Sequence, residues 1–119
     1  MEKNLEISLL FDFYGQMLTD TQQEAINLYY NDDLSLKETA DILSMSRQGV
    51  RDALERAKKS LYSFEENLGL CKRFSKTQHG LEQIIENAEK LSSLCVEDSQ
   101  RDLSEKILLT ARNLYEQEV

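Results

Sequence analysis

Arg47, Gln48 and Arg51 open a segment of helical pattern, and they are the side chains of this chain best equipped to read another surface. Arginine and glutamine make bidentate contacts with guanine and adenine edges, and a major groove admits one α-helix. Asp52 lies on the same side, while Arg56, Lys58 and Lys59 follow within reach of phosphates. A net positive balance is confined to this stretch. Residues 46–64 carry five bases and two acids (net plus 3), residues 1–45 two lysines and nine acids, and residues 65–119 seven bases and eleven acids. A solvated face of an amphipathic helix would have the same pattern, and Asp52 and Glu55 favour that alternative because carboxylates repel a phosphate backbone.

The remaining chemistry-bearing residues form no convergent set. His79 is the single histidine and no serine or cysteine is arranged to use it as a base. Cys71 and Cys95 lie too far from other ligands for a tetrahedral site and read as small buried residues. The row Glu82, Glu86, Glu89 needs oxygens from another helix to hold a hard cation and otherwise forms a solvated acidic face. Tyr29 and Tyr30 have rings suited to base stacking, but packing around the reading unit is the preferred role. No glycine-rich phosphate loop exists. The expectation is a non-enzymatic protein without metal or cofactor.

The elements that must position Arg47, Gln48 and Arg51 are all helical. Proline is absent and glycine occurs four times in 119 residues, which leaves long helical periods uninterrupted. Residues 4–17 place Leu5, Leu9, Leu10, Phe13, Tyr14 and Met17 along one stripe, widened by Ile7 and Phe11. Thr19 and Gln22 form a capping box, and Asn31, Asp32 and Asp33 break the helix it starts. Ser35 and Glu38 form a second box for a short helix bearing Leu36, Ala40 and Leu43, which ends at Ser44. Ser46 then caps a long helix, with Met45 and Val50 as a hydrophobic staple. Its seam is Val50, Leu54, Ala57, Leu61, Phe64 and Leu68, and Gly69 stops it.

Two helices joined by a three-residue turn describe a helix-turn-helix over residues 35–57, with Ala40 at the crossing. After Gly69 the polar run KRFSKTQHG predicts a joint. Beyond it an antiparallel pair is expected, one helix striped by Leu81, Ile84, Ile85, Ala88, Leu91 and Cys95, the other by Leu103, Ile107, Leu108, Ala111, Leu114 and Tyr115. The reading is therefore an all-α chain with a helix-turn-helix domain at residues 1–69 and a helical appendage at 70–119. Its apolar seams exceed what one small chain buries, which predicts a homodimer through the appendage. The net charge of minus 8 argues against indiscriminate binding of phosphates or anionic lipid. No apolar run approaches the ~20 residues that span a bilayer, so membrane insertion is not expected and a cytoplasmic setting is.

The stretch from LTDTQQEAINLYY through LSLKETADILSMS to RQGVRDALERAKKSL, residues 18–61, resembles region four of bacterial sigma factors. The whole chain is similar to the YlxM family of small bacterial helix-turn-helix proteins, with residues 28–59 as its diagnostic run. The resemblance implies DNA binding, with Arg47, Gln48, Arg51 and Asp52 at reading positions. It also implies a connection with the signal recognition particle pathway, which keeps open a structural RNA, or the particle's protein subunit, as the partner instead of DNA. Region-four proteins usually carry glycine in the turn and a polar fourth residue in the reading helix, where this chain has Ser44 and Gly49. Two functions are thus in view: a nucleic-acid-binding regulator, and a module that docks a protein of the secretion machinery.

Overall fold

In the computed structural model, which describes residues 5–117, the helices are α1 (Leu5–Tyr14), α2 (Asp20–Ile26), α3 (Leu36–Leu43), α4 (Arg47–Leu68), α5 (Leu70–Leu94) and α6 (Asp98–Gln117). No strand occurs among the described residues, and no helix among them is long and apolar enough to cross a membrane. Chain contacts divide the protein into two units, Met1–Cys71 and Lys72–Val119.

In the first unit α4 is the axle: α1, α2 and α3 all pack on it. Val50, Leu54, Ala57 and Leu61 are buried at alternating steps of four and three, the period that keeps one side of a long helix facing its neighbours. They meet Ile7, Leu10, Tyr14, Leu18, Ala25 and Ile26 from the earlier helices. Gly69 ends α4 in the left-handed region (φ 65°), where its N–H bonds to the Glu65 carbonyl at 2.8 Å.

The buried face of α1 is rotated from the expected stripe. Ile7, Leu10 and Tyr14 are inside, whereas Leu5, Leu9 and Met17 are exposed. The Tyr14 hydroxyl is held in this phase. It donates to Glu65 Oε1 at 2.6 Å and accepts from the Leu70 N–H at 2.9 Å, and the Cys71 N–H donates to the same carboxylate oxygen at 3.0 Å. Tyr14 and Glu65 thereby satisfy two orphan donors at the start of α5, where a carboxylate is favoured by the helix dipole. Burial first, and then the Glu65 hydrogen bond, push the Tyr14 phenol pKa up.

Both capping boxes form. Thr19 and Gln22 exchange side-chain to backbone bonds of 3.2 and 3.1 Å at the start of α2. α2 does not break cleanly at Asn31: a wide π turn, Asn27–Asn31, carries the chain on, and Asp33 closes it in the left-handed region (φ 58°). The Asp32 N–H reaches back five residues to the Asn27 carbonyl at 2.8 Å. The wide turn shifts the phase of the following side chains. Tyr29 is buried while Tyr30 stays half-exposed with its ring edge-on to Tyr29 at 5.0 Å.

In the second unit α5 and α6 run antiparallel, since Glu82 accepts from the Tyr115 hydroxyl (3.0 Å) and Glu89 pairs with Arg112 (2.6 Å). Leu81, Ala88 and Cys95 are buried seven residues apart and face Ser104 and Ala111, also seven apart. The seam is built largely from small side chains, and Ile84, Leu91, Leu103, Ile107 and Leu114 are exposed beside it.

The expected joint at KRFSKTQHG is not there. Residues 72–80 are helical within α5, because lysine, arginine and glutamine are good helix formers and one interior glycine, Gly80, costs only ~1 kcal/mol. Glu86 pairs with Lys90 at 3.3 Å, so the acidic row is tied to partners on α5 and α6.

Candidate nucleic-acid interface

The helix-turn-helix is assembled by local hydrogen bonds. Ser35 Oγ accepts from the Glu38 N–H and Glu38 Oε1 from the Ser35 N–H, both at 3.0 Å, which fixes the start of α3. Thr39, fully buried and not singled out in the sequence, donates its hydroxyl to the Ser35 carbonyl at 2.8 Å. Ala40 is buried, and its size lets α3 cross α4 closely. Ser44 turns the chain in the left-handed region (φ 55°, ψ 44°), and the Met45 N–H closes the turn on the Ala40 carbonyl at 3.0 Å. Ser46, in extended conformation, accepts the Gly49 N–H at 2.9 Å and launches α4. A Cβ on Gly49 would lie 3.1 Å from that serine oxygen and 3.4 Å from Met45 Cε. Glycine therefore keeps the cap uncrowded, and it offers no side chain to a target.

Val50 and Leu54 point inward, and Arg47, Gln48, Arg51 and Asp52 are exposed on the opposite side. Gln48 Nε2 donates to Asp52 Oδ1 at 2.9 Å, so these two act as a pair. Among the described residues neither arginine has an ion-pair partner. Arg56 and Lys59 are exposed, and half-buried Lys58 pairs with Glu55 at 2.9 Å. That bond, with smaller help from Tyr30, raises the Lys58 pKa. Burial raises the Tyr30 phenol, with Lys58 opposing.

Further along α4 the sequence reading missed a feature. A recess of about 570 Å³ is lined by Ile7, Tyr30, Glu55, Arg56, Lys58, Lys59 and Tyr62. A smaller one of about 260 Å³ shares Tyr30, Glu55 and Lys58 with it and extends to Arg51. The signal for Tyr62 was available, since it stands four residues after Lys58 and seven after Glu55, on their side of the helix. What the pattern lacked was the opposing wall from α1 and the π turn.

Among the described residues no cluster of three or more histidine, cysteine or acidic side chains is gathered as for a metal. Cys71 is buried, and burial with the nearby Glu65 carboxylate pushes its pKa up to about 11, so it is an inert thiol at neutral pH. Cys95 donates its thiol to the Leu91 carbonyl at 3.0 Å.

Residues 1–104 match the family UPF0122, described as "Putative helix-turn-helix protein, YlxM / p13 like". The chain is 41% identical over 107 residues to a UPF0122 protein of Clostridium perfringens, covering 90% of this chain and 95% of the relative. It is 48% identical over 85 residues to one of Thermoanaerobacter sp., covering 71% and 73% of the two chains. A third, from Caldanaerobacter subterraneus, is 50% identical over 82 residues, covering 69% and 70%. With the two crossed helices and their turn in place, the chain belongs to the UPF0122 family of YlxM/p13-like helix-turn-helix proteins.

Proposed function

We propose that this chain is a non-enzymatic, nucleic-acid-binding regulatory protein that inserts the first turns of α4 into a DNA major groove. Arg47, Gln48 and Arg51 contact base edges, Asp52 orients Gln48, and Arg56, Lys58 and Lys59 serve the phosphates. One observation carries the reading: Ser46 starts a helix that buries Val50 and Leu54 and leaves both arginines in water without a carboxylate partner among the described residues. The protein acts as a homodimer through α5 and α6. Their Ile84, Leu91, Ile107 and Leu114 are exposed, and a groove of about 350 Å³ is lined by Leu81, Ile84, Lys106, Ile107, Thr110, Ala111 and Leu114. A dimer reading DNA separates its recognition helices by ~34–36 Å.

The test begins with selection of a bound duplex from random sequence. Arg51→Ala should then weaken binding of that duplex by ~1–3 kcal/mol. Wild-type binding should fall by ~10³ or more between 50 and 200 mM salt if six or more phosphates are contacted. A flat salt response with no duplex enriched would turn the reading over to protein docking, and sedimentation as a monomer at micromolar concentration would remove the dimer.

A further inference from the structure

The recess on the flank of α4 has the chemistry of a nucleotide site. Its floor is apolar, with Ile7 fully buried, and Tyr62 presents a ring that is 41% exposed. Three of its lining residues are cationic in a chain whose net charge is minus 8. The single lining carboxylate, Glu55, is held by Lys58 at 2.9 Å, which leaves Arg56 and Lys59 as the cations with no ion pair among the described residues. At about 570 Å³ the recess falls within the ~300–1,000 Å³ usual for small-ligand sites.

We propose that this recess binds a nucleobase with its phosphate, the base stacked on Tyr62 beside Tyr30 and the phosphate held by Arg56 and Lys59. Stacking on a tyrosine face accepts any base, because every base has a π-face. An acidic peptide would use the cations but gain nothing from the apolar floor. The smaller recess continues the surface toward Arg51, and Arg51, Lys58 and Tyr62 lie within ~40° of one another around α4. Arg51 and Tyr62 are ~16 Å apart along the helix, a distance that a few nucleotides of single strand cover. The inference rests on the nucleic-acid reading above and extends it: the preferred target has an unpaired nucleotide next to the segment that α4 reads.

Single-stranded binding separates the two readings. Anisotropy of a labelled 12-nucleotide single strand and of the selected blunt duplex should be titrated with the wild-type chain, Tyr62→Ala, Tyr62→Phe, Arg51→Ala and the double variant Arg56→Ala/Lys59→Ala. Tyr62→Ala should weaken the single strand by ~5- to 150-fold, the usual range for one lost stacking contact. Tyr62→Phe should stay within about twofold, since the ring is kept. The double variant should reduce the salt slope by ~1–2. Tyr62→Ala should leave the blunt duplex unchanged while Arg51→Ala weakens it. Competition by adenosine monophosphate identifies a free nucleotide as the source, and competition by strands alone identifies an unpaired nucleotide in a chain; both support the site. If wild type binds only the single strand and Tyr62→Ala abolishes this, the groove-reading function falls and the nucleotide site stands. Equal single-strand affinity of wild type and Tyr62→Ala, or equal competition by polyglutamate and the oligonucleotide, overturns the site.

Discussion

Replacing Tyr14 with phenylalanine removes one oxygen from the place where α1 is fastened to the end of α4. That oxygen donates to the Glu65 carboxylate at 2.6 Å and accepts from the Leu70 N–H at 2.9 Å. Glu65 keeps its bond from the Cys71 N–H, so the loss is confined to these two contacts. The ring stays, with its packing on Phe64 at a centroid distance of 5.9 Å, and no cavity opens. A hydrogen bond to a charged acceptor contributes ~1.5–3 kcal/mol, and an orphaned amide costs ~1–3 kcal/mol more. Leu70 is 39% exposed, so water reaches its amide and the second contribution sits at the low end. Phenylalanine also avoids desolvating a hydroxyl, which returns part of the loss. The expected destabilisation is about 2 kcal/mol, read as a lower urea midpoint with an unchanged slope. Glu65→Gln in a double-mutant cycle should give a coupling of ~1 kcal/mol or more. A change within ~0.5 kcal/mol, or additive variants, would refute the claim that this network fastens α1 to the end of α4.

Ser44→Gly should stabilise the chain by ~0.5–1 kcal/mol, because a left-handed serine costs ~1–2 kcal/mol and the added freedom of unfolded glycine returns only part of it; an unchanged or lower melting temperature would mean that Ser44 is not strained at φ 55°. Ser46→Ala removes the acceptor of the Gly49 N–H and should cost ~1 kcal/mol in chemical denaturation, weakening duplex binding in parallel as the first turn of α4 frays; full stability would show that water replaces the cap. Cys71 and Tyr14 both have raised pKa values in the folded chain. Above a pH of about 9 the unfolded thiol sheds a proton that the folded one keeps until about 11, so the unfolded state binds fewer protons and stability falls as pH rises through this window. Urea midpoints at pH 8 and pH 10 should show the fall, and Cys71→Ala should lessen it; coincident midpoints for wild type would contradict the assignment.

Where structure depends on hydrogen bonds between near neighbours, the residues were legible. Thr19 with Gln22, Ser35 with Glu38, and Ser46 with Gly49 form because each capping side chain needs only the backbone three positions away. The α4 seam was legible for a related reason, since four-and-three spacing aligns Val50, Leu54, Ala57 and Leu61 whatever packs on them. The phase of α1 was not. Its sequence is apolar around much of the cylinder, and the partners that its buried face meets are distant in sequence, Glu65 standing 51 residues from Tyr14. The polar run 72–80 suggests a joint by polarity alone, whereas polar side chains with good helix propensity continue a helix in water. In α5 and α6 the stripes are legible and their depth is not: Ala88, Ser104 and Ala111 are buried, while the larger Ile84, Leu91, Ile107 and Leu114 stay exposed.

The carboxylates that argued against a phosphate partner change meaning once their bonds are known. Asp52 is occupied by Gln48 at 2.9 Å and Glu55 by Lys58 at 2.9 Å, both within α4. Exposed contacts of this kind contribute only ~0–1 kcal/mol, so they add little to stability and cost little to exchange when a partner arrives. Their effect is positional, because each ties a long side chain to a neighbour on its own helix. Arg47, Arg51, Arg56 and Lys59 have no such carboxylate among the described residues, and they supply the uncompensated charge of the segment. An acidic chain can in this way keep a basic stripe: the acids of the stripe are spent on its own lysine and glutamine, and the arginines face outward unmatched.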